Sequence, residues 1–221
     1  MRLPIFAMIA TTLTLAACDK ATAVNEKKAE PSALTQTTDQ IHYHNAFLNL
    51  SIEKPQSWFA QSPEDTMKMS QQGSEILSGD DKNMKAMVDQ SLKTSLPVFA
   101  FFEYEPGTPG KLNANVLSMA ENIELAPGVK TGCDYLYHTR EILNKSQLQV
   151  MIDEGCEQTK FGDTSMGTMN ITMTMNNLLV KQTYYACIKD KHAVTVIKTY
   201  FDDESKNKVD NILTTLQLDC S

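Results

Sequence analysis

The chain predicts an α+β fold in which an antiparallel sheet is sandwiched by helices. Three observations carry this expectation. Strand-like stretches outnumber the four helix-like ones, and tight reversals such as Lys189-Asp190-Lys191-His192 dominate the second half. The strands and helices also fail to alternate regularly, as a doubly wound parallel sheet would require.

Taken in order, the chain opens with Arg2 and a mostly apolar run of about a dozen residues that ends in Leu15-Ala16-Ala17-Cys18. A positive start, a short apolar run and small residues before a cut site read as a secretory signal peptide over residues 1–17. The cysteine after Leu-Ala-Ala resembles the lipobox of bacterial lipoproteins, which implies acylation of the Cys18 thiol. A membrane span needs roughly 20 apolar residues, and Pro4 and three threonines interrupt this run. Asp19, directly after the cysteine, resembles a signal that retains such proteins in the inner membrane. The expected location is therefore the cell envelope, lipid-anchored and facing the periplasm. Residues 18–40 hold Lys27-Lys28, Pro31 and many small polar residues. They bury too little to offset ordering entropy and read as a tether.

The globular domain is expected over 41–221. Ile41-His42-Tyr43-His44 reads as a strand, followed by a turn at Asn45-Ala46. From Phe47 to Ile52 the alternation puts Leu48, Leu50 and Ile52 on one face. Trp58, the only tryptophan, follows Pro55 and suits a core edge. Ser62-Pro63-Glu64-Asp65 supplies a cap, a first-turn proline and first-turn acids for a helix reaching about residue 77. A second helix is expected over 82–94, with Met84, Met87, Val88 and Leu92 spaced to share one face. Residues 96–104 are apolar on both faces and read as a central strand, and 113–124 as another. A helix over 131–143 turns Leu136, Thr139 and Leu143 inward. A strand over 148–153 and a loop at Phe161-Gly162-Asp163 come next. Met169, Ile171, Met173 and Met175 then alternate with Asn170, Thr172 and Thr174. A hairpin of strands 178–188 and 193–201 precedes a closing helix over 205–216, where Val209, Ile212, Leu213 and Leu216 form one stripe.

The stretches Ser51-Ile52-Glu53-Lys54-Pro55-x-x-Trp58, Asn113-Ala114-Asn115-Val116 and Thr195-Val196-Ile197-Lys198-Thr199-Tyr200-Phe201 resemble the PsbP-like fold over about residues 41–218. That group includes the photosystem extrinsic protein PsbP, Ran-binding Mog proteins and bacterial DcrB-type lipoproteins, and a lipidated N-terminus fits the last. The resemblance implies a compact α/β/α sandwich that binds or stabilises other proteins, with no shared active site.

Composition narrows the functional classes. Hydrophobic residues at 42% and charged residues at 21% describe an ordinary globular protein. Loss of Arg2 with the signal peptide changes the net charge from -7 to -8. So acidic a surface gives no electrostatic case for nucleic acid and selects weakly for basic partners. No nucleophile elbow or phosphate-cradling glycine loop occurs, and no cofactor is implied. The expected function is non-enzymatic, through contact with another envelope protein.

With Cys18 committed to lipid, Cys133, Cys156, Cys187 and Cys220 remain. An even number in an exported chain reads as disulfides, and four cysteines allow three connectivities. Chain path selects Cys133–Cys156: a helix rising about 1.5 Å per residue and a returning strand rising about 3.3 Å per residue cover similar distances. The closing helix and its extension return Cys220 to the level of Cys187. The alternative chemistry is copper binding. His42 and His44 share a strand face, and the thioethers of Met166, Met169, Met173 and Met175 suit Cu(I). The same methionines share a face with Ile171, as core residues do, and methionine fills irregular gaps well.

Overall fold

The computed structural model describes residues 36–38, 41–175 and 177–220. The expected signal sequence, Cys18, Asp19 and most of the stretch read as tether lie outside the described residues.

The expected α+β class is what forms: four helices pack on antiparallel sheets. Strands β1 (Gln36–Thr38), β2 (His42–Asn45) and β3 (Leu50–Glu53) begin a small sheet, and β4 (Phe59–Ala60) begins the large one. Helices α1 (Pro63–Ser78) and α2 (Lys82–Thr94) follow. Then come β5 (Ser95–Phe102), β6 (Asn115–Asn122), α3 (Gly132–Lys145), β7 (Val150–Ile152) and β8 (Glu157–Phe161). The chain continues through β9 (Thr164–Met175), β10 (Leu178–Lys189), β11 (His192–Tyr200), α4 (Asp203–Leu213) and β12 (Gln217–Leu218). The large sheet runs β4-β5-β6-β11-β10-β9-β7, with β8 also on β9; the small sheet runs β1-β2-β3-β12.

Local chemistry sets the helix starts. The Ser62 side chain accepts from Asp65 N at 3.1 Å, with Pro63 in the first turn. Asp81 caps α2, and Thr131 with Asp134 forms a capping box on α3. Asp202 and Ser205 do the same for α4.

The helices α1, α2 and α3 cover one face of the large sheet; α4 and the small sheet cover the other. Between the two sheets, Leu48, Leu50 and Ile52 meet Phe99, Phe101, Val194 and Val196, with Trp58 sealing the margin. Val209, Ile212, Leu213 and Leu216 of the closing segment enter the same core. Lys198, buried on this face, bonds Asp210 of α4 at 2.6 Å, so its charge is paired rather than stranded. Under α3, Leu136 and Leu143 pack on Met169, Ile171 and Met173.

Two glycines let α3 descend onto the sheet. A Cβ on Gly132 would lie 1.8 Å from the Ala186 carbonyl oxygen, and one on Gly167 would lie 2.8 Å from Cys133 N. No side chain fits at either contact, so the helix start rests directly on β9 and β10.

Several elements differ from expectation. β1 lies inside the stretch read as tether, and it pairs Thr37 with His44. β2 is therefore flanked on both sides, by β1 and β3. Residues 46–49 turn rather than extend, although Leu48 still reaches the core. β5 is buried on both faces but stands one short strand from the sheet edge, while β11 occupies the middle. β8 has no periodic apolar signal because it is an exposed strand of Glu157-Gln158-Thr159-Lys160 whose existence depends on pairing with β9.

Candidate functional site: an apolar groove between two helices

α2 and α3 stand side by side on the sheet without closing over it. The gap is floored by the end of β6 and walled by the loop over 123–129. It encloses about 590 Å³, within the usual span of ligand and anchor-residue sites. Met87 and Thr94 line it from α2, Ile123 and Val129 from the loop, Tyr135 and Ile142 from α3. Its rim is strongly apolar: Leu125 is 92% exposed and Met87 48% exposed. An isolated exposed leucine is ordinary; this one stands beside an open apolar hollow.

Met87 departs from expectation. Met84 of the same helix is buried, whereas Met87 turns to the groove, because α2 packs against the sheet through a narrower stripe than its sequence suggested. Leu125 gave one faint sequence signal: a large apolar residue inside the turn-rich stretch Glu124-Leu125-Ala126-Pro127-Gly128.

The floor carries the groove's main polar contact. The Tyr135 hydroxyl donates to Glu121 Oε2 at 2.6 Å, tying α3 to β6. Burial, and then the Glu121 charge beside it, hold the Tyr135 phenol well above the usual tyrosine range. At the rim Glu124 is paired with Lys191 at 2.5 Å, which holds its carboxyl below the usual range. His138 lines the α3 wall. A larger hollow of about 810 Å³ between β3, β12 and the β8–β9 turn is lined by polar groups including His44, Asn49, Asp163 and Asp219.

No protein-family model matches the chain, and no curated protein sequence matches it. Among solved structures it is similar to a protein of Bacteroides thetaiotaomicron, at 11% identity and a TM-score of 0.40. That match covers 77% of this chain, which spans 45% of the length of the Bacteroides structure. It is also similar to LpqN, involved in cell envelope biogenesis of Mycobacterium tuberculosis, at 10% identity and a TM-score of 0.41. There the match covers 76% of this chain and 83% of LpqN.

The residues singled out in the sequence fall in separate places. Cys18 is outside the described residues. Cys133 is bonded to Cys156 with Cα atoms 5.7 Å apart, joining the start of α3 to the segment before β8. Cys187 is bonded to Cys220 with Cα atoms 6.2 Å apart, joining β10 to the chain beyond β12. His42 and His44 are exposed on the small sheet, and His42 Nδ1 lies 3.5 Å from Glu53 Oε1. Met169 and Met173 are buried under α3, Met166 is buried on the opposite face, and Met175 is 39% exposed at the strand end. The histidines and methionines are not brought together. Among the described residues, no three His, Cys, Asp or Glu side chains cluster as a metal site would need. No described helix is long and apolar enough to cross a membrane.

Proposed function

We propose that this chain is an envelope lipoprotein of PsbP-like type that works without catalysis, by holding another protein in the α2–α3 groove. The observation that carries the reading is the groove itself, an open apolar hollow with Leu125 and Met87 presented at its rim. A folded domain gains by covering such surface, and a partner's apolar anchor supplies the cover. Anchoring through Cys18 is supported by Leu15-Ala16-Ala17-Cys18, and export by four cysteines paired in two disulfides. Asp19 supports the inner membrane, and the matched stretches at Ser51, Asn113 and Thr195 support the PsbP-like assignment.

The polar floor suits positioning more than chemistry. Tyr135 is held as a neutral phenol against a carboxylate, which makes it a poor proton donor at neutral pH.

Site-specific photocrosslinking in intact cells tests the reading. A photoreactive side chain at Leu125 should give a discrete protein adduct, lost when Met87→Asp places a charge in the groove. The same group at Lys160, on exposed β8, should give none. Equal adducts from both positions, or none from Leu125, would overturn the proposal. Anchoring has its own test: Cys18→Ser protein should leave the membrane fraction, and its continued presence there would refute lipidation.

A further inference from the structure

The groove's charge is one-sided. Among its described lining residues, the formally charged ones are Glu121 and Glu124; no lysine or arginine lines it. Glu124 is compensated by Lys191 from the neighbouring hairpin turn. Glu121 is not: Tyr135 donates to Oε2 as a neutral phenol, so Oε1 meets no cation of the groove's own. A half-buried carboxylate beside apolar side chains, with no cation of the groove's own, offers an incoming cation a charge-assisted partner.

We infer that the occupant of the α2–α3 groove is a basic amphipathic helix of a partner protein, with its apolar side chains between Met87 and Leu125 and a lysine or arginine on Glu121. This rests on the reading of the groove as the protein's contact surface and adds the partner's chemistry. An open trough between two helices accepts a third helix through anchors spaced one turn apart. A cation adjacent to those anchors reaches Oε1 in surroundings drier than bulk water, where a charge-assisted bond gains strength. The whole-chain charge of -7 acts in the same direction, drawing basic segments and repelling acidic ones. A fatty acid would carry its own carboxylate toward Glu121, and an anionic lipid its phosphate, so both meet repulsion.

The test uses the full chain held in phosphatidylcholine nanodiscs, with empty nanodiscs as the blank. Three fluorescent helical peptides of equal length serve as probes: one of leucine and lysine with an apolar face, one of leucine and glutamate with the same face, and one of lysine and serine. Saturable binding should occur with the leucine–lysine peptide alone. Glu121→Gln should weaken it about tenfold, and Leu125→Asp should abolish it, each variant having a wild-type melting curve. Tyr135→Phe keeps the carboxylate and frees its second oxygen, so binding should be retained or tightened. Equal binding of the glutamate peptide, unchanged affinity in Glu121→Gln, or no saturable binding to the wild type would overturn the inference. If Leu125 still crosslinks a protein in cells while no peptide binds, the contact surface stands and the basic partner falls. If both experiments are silent, both readings fall.

Discussion

The Tyr135 hydroxyl donates a 2.6 Å hydrogen bond to Glu121 Oε2, joining the second turn of α3 to the last residues of β6. This bond lies on the groove floor and ties α3 to β6. Tyr135→Phe removes the donor while keeping the ring. The expected loss is about 1.5–3 kcal/mol, the net worth of a hydrogen bond to a charged group, read as a lowered urea midpoint. An unchanged midpoint would mean that packing alone positions α3.

Gly132→Ala should be far more damaging than its size suggests. The added methyl would lie 1.8 Å from the Ala186 carbonyl oxygen, which belongs to a rigid strand backbone. Overpacking of this kind costs on the order of 1–3 kcal/mol or more. Gly73→Ala is the internal control: it sits in α1 with nothing within 4 Å of its new Cβ. It should stabilise by up to about 1 kcal/mol through helix propensity. Thermal melts of the two variants moving in the same direction would contradict this.

Each disulfide should matter on its own. The bridges close segments with sequence separations of 23 and 33 residues. Restricting the unfolded chain over such lengths is worth about 3–4 kcal/mol in the loop-entropy description. Cys187→Ser with Cys220→Ser should also release β12 from β3, seen as faster amide exchange at Leu218, whose partner is Leu50. Non-reducing peptide maps should contain Cys133–Cys156 and Cys187–Cys220 peptides; a Cys133–Cys187 or Cys156–Cys187 peptide would overturn the pairing.

Alkaline stability should depend on Tyr184. Burial pushes its phenol up to about 12, against a value near 10 for an unfolded tyrosine. The folded state thus keeps a proton that the unfolded state loses first. The stability contributed by this group is complete below about pH 10 and is lost as the pH rises through about 12. The hydroxyl also donates to Gln182 Oε1 at 3.1 Å. Tyr184→Phe should flatten the fall in urea midpoint over that window. An equally steep fall in the variant would assign the alkaline limb to other groups.

The sequence by itself determined the parts of the molecule that are written in local chemistry. Ser62-Pro63 starts α1, Gly79-Asp80-Asp81 separates it from α2, and the alternation of Met169, Ile171 and Met173 gives the buried face of β9. The stripe Val209, Ile212, Leu213 likewise marks the inner face of α4. Such signals work because backbone caps and the periods of 2 and 3.6 are satisfied within a few residues. Only the tertiary structure decided what those faces meet. β1, β8 and β12 are strands because a neighbour supplies their hydrogen bonds, and nothing in Gln36-Thr37-Thr38 or Gln217-Leu218 announces it. Met87 belongs to the apolar stripe of α2 yet lines the open groove between α2 and α3, half exposed. Where α3 rests depends on Gly132 and Gly167, whose missing Cβ atoms admit the helix to the sheet. Periodicity states which side of an element avoids water; the distance to the next element is set by packing between residues far apart in the chain.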